Sequence, residues 1–276
     1  MSAPTSPEAV AMFSSDAFGG RRVLVTGGGS GIGRATALLF AGAGAHVAVM
    51  GRRIETLEET AALAPARSLP IVPVVCDIRE SDQVDDALDR IVADDALGGL
   101  GGLDILVNNA GGQFVAPAEQ ITAKGFRAVT RLNLEAVWYL TTQVAVRAFI
   151  PQNNGVVVSV TMTPHRGMPG MSHSSAARAG VESLMRTLAV EWGRYGIRCA
   201  AVAPGIVHTD AWERYGLDPA AVSTVIPVGR LQTADEVACA IAFVASPAGG
   251  YITGTTLTVD GGLDVSGPGA LLGSAD

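Results

Sequence analysis

The sequence predicts an α/β fold: one domain on a doubly wound parallel sheet of seven strands, with helices on both faces. Three observations carry this. Short continuous runs of Val, Ile, Leu and Ala recur along the 276 residues, as expected of parallel strands covered on both faces. Amphipathic helical patterns alternate with these runs over short connections, the rhythm of right-handed crossovers. Finally, the first run, Val23-Leu24-Val25, leads through Thr26-Gly27-Gly28-Gly29-Ser30-Gly31-Ile32-Gly33 into a helical pattern carrying Ile32, Ala35, Leu38 and Leu39. Glycines allow a tight turn and close approach of a pyrophosphate, and the helix start offers N–H donors and the positive dipole end. The context of strand, turn and helix raises the motif above a mere turn.

Taken in order, the strands fall near 22–27, 46–51, 71–76, 103–108, 154–160, 197–203 and 255–260. Helical periodicity falls near 31–43, 54–63, 80–95, 119–131, 134–149, 172–195 and 233–246. The clearest helix carries Val181, Leu184, Leu188 and Trp192 on one stripe, with Ser172 or Ser174 able to cap its start. Gly98 to Gly102 reads as a loose turn, and no repeat or linker divides the chain. Residues 1–18 read as a flexible leader, 19–264 as the domain and 265–276 as a loose tail. Two stretches break the rhythm, Thr161 to Ser172 and Gly205 to Gln232. Both leave from carboxyl ends of strands, where open α/β sheets hold their ligands, and the second is a candidate lid carrying Trp212 and Tyr215.

Composition bounds the function. Apolar residues make up 48% and charged residues 16%, which describes a packed globular chain. A net charge of −7 without a compensating Lys/Arg cluster argues against a nucleic-acid partner. Cys76, Cys199 and Cys239 lie far apart without metal-ligand spacing, so no metal is expected and the thiols read as free in a reducing compartment. No apolar run reaches the ~18 residues of a membrane span, and the first residues lack a signal peptide's basic start and apolar core. The expected location is the cytoplasm.

The cofactor follows from the second strand. A unit that binds NAD places a carboxylate there for the ribose 2′-hydroxyl. Here the strand ends Met50-Gly51-Arg52-Arg53, with no acid before Glu55. Two guanidiniums suit a 2′-phosphate, so NADPH is the expected cofactor of this Rossmann-type fold.

From about residue 20 to 264 the chain resembles the short-chain dehydrogenase/reductase family. The likeness rests on the Thr26–Gly33 turn, Cys76-Asp77-Ile78, Asn108-Asn109-Ala110-Gly111, Asn133-Leu134, Pro204-Gly205 with Thr209, and Asp260-Gly261-Gly262. The resemblance implies that Gly27, Gly29, Ser30, Gly31, Ile32 and Gly33 cradle the pyrophosphate. Asp77, followed by Ile78, would meet adenine, and Asn109, Ala110 and Gly111 would support the cofactor. Pro204, Gly205, Val207 and Thr209 would meet its carboxamide end. It also implies a homotetramer or homodimer built through the helices at 134–149 and 172–195; Leu140, Val144 and Ala148 offer an apolar stripe that could equally be core.

The family's catalytic signature is a serine after the fifth strand and then Tyr-x-x-x-Lys. Aligned on Ala179-Gly180-Val181, the tyrosine position holds Ser174, the lysine position Arg178, and the serine position falls on Thr161 or Met162. A serine hydroxyl is a poor acid, and Arg does not release its proton at neutral pH. Asn108-Asn109-Ala110-Gly111-Gly112-Gln113-Phe114 and His173-Ser174-Ser175-Ala176-Ala177-Arg178 are instead similar to the enoyl-CoA reductases of the family, nearest to the peroxisomal trans-2-enoyl-CoA and the 2,4-dienoyl-CoA reductases. Reduction of an enoyl thioester makes an enolate, which needs hydrogen-bond donors more than a strong acid. Gln113, with Thr161 or Ser174, would hold the thioester oxygen, Arg178 the nicotinamide ribose, and Asn133 a water; His165 is a further candidate donor. Bland readings stand beside these: Gln113 as a surface amide, Ser174 as a helix cap, His165 as a solvated loop residue. NADPH-dependent reduction of a ketone or β-keto thioester, and an inactive NADPH-binding protein, are the alternatives. Of basic residues near the expected lid, only Arg214 and Arg230 qualify for the nucleotide of CoA.

Overall fold

The computed structural model describes residues 13–93, 99–163, 167–209 and 218–266. Seven strands form one parallel sheet: β1 Arg22–Thr26, β2 His46–Gly51, β3 Val72–Val75, β4 Ile105–Asn108, β5 Gly155–Val160, β6 Ile197–Pro204 and β7 Thr256–Val259. Their order is β3-β2-β1-β4-β5-β6-β7, so the winding reverses between β1 and β4. That reversal opens a crevice beyond the strand carboxyl ends.

The helices are α1 Gly31–Gly42, α2 Ile54–Ala62, α3 Ser81–Val92, α4 Ala123–Thr130, α5 Ala136–Val144, α6 Ile150–Gln152, α7 Ser172–Trp192, α8 Pro219–Ser223 and α9 Ala234–Ala245. Alternation of side chains along each strand divides the interior into two apolar layers. Leu24, Met50 and Leu106 face one layer, with Leu88 of α3, Leu140 of α5 and Met185 of α7. Val23, Val25, Val49 and Val107 face the other, with Leu39 of α1 and Ile241 of α9. The predicted strands are therefore present, each end within two residues of expectation.

Four features differ from expectation. The helices expected at 119–131 and 134–149 join into one helical run from Ala123 to Gln152, widened to π geometry at Arg131–Glu135 and Ala145–Phe149. Residues near the end of the leader are not loose: Phe18 is buried edge-on against Phe40 with ring centroids 4.7 Å apart, and its N–H donates to the Ala43 carbonyl. Met171, not a serine, occupies the N-cap of α7, and no side chain caps that helix from outside. A short helix, α8, interrupts the second irregular stretch, its start capped by Asp218 accepting from the Ala220 N–H. Among the described residues no helix is long and apolar enough to cross a membrane. Residues 1–12 of the expected leader and 267–276 of the expected tail lie outside the described residues.

Candidate active site

The glycine turn sits at the carboxyl end of β1. Gly27 and Gly31 have φ of 64° and 50°, the left-handed region that glycine enters without steric penalty. A methyl group at Gly33 would run into the Gly27 carbonyl and the Asn109 amide, so that glycine lets α1 pack against the turn. Ser30, the N-cap of α1, is extended and makes no side-chain cap. The first-turn N–H groups of α1 are thus presented to an anion. Ile32 packs on the second apolar layer, and Thr209 lies over the turn, its methyl 3.3 Å from where a Gly31 side chain would begin.

Thr26 stitches β1 to β4 across the crevice. Its hydroxyl accepts from the backbone N–H groups of Asn109 and Ala110, each at 3.0 Å, and donates to the Val107 carbonyl. Asn109 Nδ2 donates to the Thr26 carbonyl at 2.9 Å. On the far side, Gly205 N–H donates to Gln232 Oε1 at 3.0 Å, and Val207 bridges to Gln232 in parallel register. Thr163 donates to the Pro204 carbonyl at 3.1 Å. Gln232 is a clamp that sequence reasoning missed; no motif marks it.

A cleft of about 150 Å³ runs from the turn to the end of β2, lined by Gly27, Gly29, Ser30, Arg52, Arg53, Asp77, Ile78, Ala110 and Gly111. Arg52 and Arg53 are exposed and form no ion pair among the described residues. The hydrogen bonds from Arg79 hold the Asp77 carboxyl below its ordinary range, and the charge of Arg52 adds to this. The glycine turn, the apolar Leu57 and Ile78 in the lining and the exposed Arg52 and Arg53 at one rim fit a nicotinamide dinucleotide.

The reacting end is assembled around 111–113. Asn133 lies in the first π turn, where one extra residue per turn redirects the side chain inward. Its amide grips Gly112 at both ends, Oδ1 accepting from N–H and Nδ2 donating to the carbonyl, each at 3.0 Å. Gly111 leaves room for the Arg178 guanidinium, which a methyl there would strike. Arg178 is buried, donates to the Val160 carbonyl, and has its pKa pushed down to about 10 by burial. Ser174 is fully buried, and its hydroxyl meets Gln113 Oε1 at 3.3 Å and Met162 Sδ at 3.7 Å rather than capping α7. Thr161 is turned away: its hydroxyl donates to Glu182 Oε1 at 3.0 Å. The structure therefore unites Gln113, Asn133, Ser174 and Arg178 and gives Thr161 to Glu182. His165, Trp212, Arg214 and Tyr215 lie outside the described residues.

A parallel sheet in this order, a glycine turn at its switch point and a reacting cluster between β4, β5 and α7 define a nucleotide-dependent oxidoreductase. The chain belongs to the short-chain dehydrogenase/reductase family, which uses a nicotinamide cofactor; residues 27–264 match the family model described as enoyl-(acyl carrier protein) reductase. A probable 2,4-dienoyl-CoA reductase of Bacillus subtilis (strain 168) is 40% identical over 249 residues, 88% of this chain and 96% of that protein. A glucose 1-dehydrogenase of Gluconobacter oxydans (strain 621H) is 38% identical over 258 residues, 91% of this chain and 95% of that protein. Among solved structures, a citronellol catabolism dehydrogenase of Pseudomonas aeruginosa PAO1 superposes with a TM-score of 0.80 at 37% identity, covering 92% of this chain and 98% of that one.

Proposed function

We propose that this protein is an NADPH-dependent reductase of the C=C bond of trans-2-enoyl thioesters, 2,4-dienoyl thioesters included. One observation carries the reading. Where ketone-reducing relatives need a tyrosine acid, this chain has Ser174, its hydroxyl on the oxygen of the Gln113 amide at 3.3 Å and a buried cation behind it. In this reading Ser174 orients the Gln113 amide, whose NH₂ would donate to the thioester oxygen once substrate is bound. Gln113 is exposed at the rim while Ser174 and Arg178 are buried beneath it, so negative charge arriving on that oxygen would meet the amide donor and the positive potential of Arg178. Asn133 fixes Gly112 and hence the approach of Gln113. Ser174 rather than Thr161 is the hydroxyl in this reading, since Thr161 already serves Glu182. The α-carbon takes its proton from water, so no side chain has to be a strong acid.

NADPH supplies the hydride when bound. Gly27, Gly29, Ser30, Gly31, Ile32 and Gly33 would hold the pyrophosphate, Arg52 and Arg53 the 2′-phosphate, and Asp77 with Ile78 the adenine. Asn109, Ala110, Gly111 and Arg178 would hold the nicotinamide ribose side, and Pro204, Gly205, Val207 and Thr209 the carboxamide. We further propose a cytoplasmic homotetramer or homodimer, paired through the face of α5 and α7 that exposes Trp138 and Val190.

The test is NADPH oxidation at 340 nm with an enoyl and a β-keto thioester side by side. Turnover of the enoyl ester, reduced about 100-fold in Gln113→Ala as for loss of one oxyanion donor, is expected. Turnover of the β-keto ester alone would refute the reading. It would favour carbonyl chemistry, the alternative to which the glucose 1-dehydrogenase likeness points.

A further inference from the structure

α7 starts without an external cap, so its first-turn N–H groups need acceptors from elsewhere. For Ser174 the acceptor is the ring of the preceding residue: His173 Nδ1 lies 2.7 Å from the Ser174 backbone N. That contact places the proton of a neutral imidazole on Nε2. Nε2 is buried and has no hydrogen-bond partner among the described residues. The ring is fully buried and stands nearly perpendicular, at 84°, to Phe114, with centroids 4.4 Å apart.

Phe114 follows Gln113, and Ser174 follows His173. A single ring thus backs both halves of the Gln113–Ser174 contact. An apolar ring would fill the same space without leaving a buried nitrogen unpartnered, so packing alone does not account for the imidazole. What the imidazole adds is the Nδ1 acceptor. With its N–H satisfied there, the Ser174 main chain is fixed and the hydroxyl is directed at Gln113 Oε1.

We propose that His173 is a positioning residue of the reductase site, setting Ser174 through its N–H and Gln113 through Phe114. The inference rests on the reading above, in which Ser174 orients the Gln113 amide toward the thioester oxygen. Two variants separate its parts. His173→Phe keeps a ring against Phe114 and loses the acceptor; His173→Asn keeps an acceptor at the δ position. Hydrogen exchange of the Ser174 amide, measured without substrate, should quicken about tenfold in His173→Phe and stay near wild type in His173→Asn. With crotonyl-CoA and saturating NADPH, kcat should fall about 10- to 100-fold in His173→Phe and recover to within about threefold in His173→Asn, while the Kd for NADPH and Tm stay close to wild type. Unchanged exchange in His173→Phe overturns the inference, and so does unchanged kcat, or a kcat loss matched by losses in Tm and NADPH affinity. A wild-type enzyme that is inactive on enoyl thioesters but shows the predicted exchange pattern would fault the proposed reaction and leave the capping role of His173 standing.

Discussion

Replacing Arg178 with Met should make the protein more stable and less active. Arg178 is buried, and burial alone depresses its pKa from the ordinary guanidinium value to about 10. At ~1.4 kcal/mol per tenfold change in proton affinity this corresponds to about 3 kcal/mol of lost hydration. No carboxylate pairs with it among the described residues; its hydrogen-bond partner there is the Val160 carbonyl. Met fills a similar volume without charge but strands that carbonyl, at about 1–2 kcal/mol. The net gain is about 1–2 kcal/mol, or about 2–4 °C in Tm for a chain of this length. The sign follows from linkage. A base whose folded pKa lies below its unfolded value destabilises the fold wherever it is charged, so the penalty is constant through neutral pH and is relieved only above about pH 10. Thermal unfolding from pH 6 to 9 should therefore show one upward shift for Arg178→Met, independent of pH. In the same variant kcat should fall about 100-fold and NADPH should bind more weakly. A Tm lowered by more than about 2 °C, or wild-type kcat and NADPH affinity, would refute the reasoning.

Two further outcomes are expected. Arg52→Asp combined with Arg53→Ala should weaken NADPH binding about 10²- to 10⁴-fold and favour NADH, read by fluorescence titration, because each charge-assisted contact to a 2′-phosphate contributes about 1.5–3 kcal/mol; unchanged NADPH affinity would remove the 2′-phosphate assignment. Glu236→Gln should lower stability at pH 7 by about 1 kcal/mol after allowance for its exposed ion pair. Arg230, helped by the Thr233 N–H at the start of α9, pulls the Glu236 carboxyl down to about 2 from its ordinary 4.5. A depressed acid contributes above its unfolded pKa, so in urea unfolding the gap to wild type should close as pH falls from about 4.5 toward 2. A gap that stays constant over that range would count against the coupling.

Much of the fold could be read from local pattern. β2 and β4 are short apolar runs that only a sheet buried on both faces accommodates, and Gly27 and Gly33 are required by contacts within their own turn and with the next strand's end. The features that escaped depend on distant partners. Phe18 is ordered because Phe40 and the Ala43 carbonyl receive it, which no periodicity in the first eighteen residues encodes. Thr161 and Ser174 were equal candidates as hydroxyl donors in the sequence. What separates them is Glu182, one helical turn beyond Arg178, whose carboxylate captures Thr161.

The departures from ordinary folding rules gather in one place. A buried guanidinium and a buried imidazole nitrogen, the one without a carboxylate and the other without a partner among the described residues, lie near residues 111–113 with a helix widened at Asn133 and a serine hydroxyl left out of capping. Each alone would be a small defect of stability. Scattered defects would suggest a fold drifting after loss of function, and an inactive NADPH-binding protein would have no reason to keep them together. Clustered at the carboxyl ends of β4 and β5, beside the glycine turn, they fit the proposed site better than they fit drift. Of the four, the buried guanidinium and the serine hydroxyl on Gln113 would provide positive potential and a directed amide without a strong acid. That combination suits a developing enolate better than an alkoxide, which must take a proton from the enzyme.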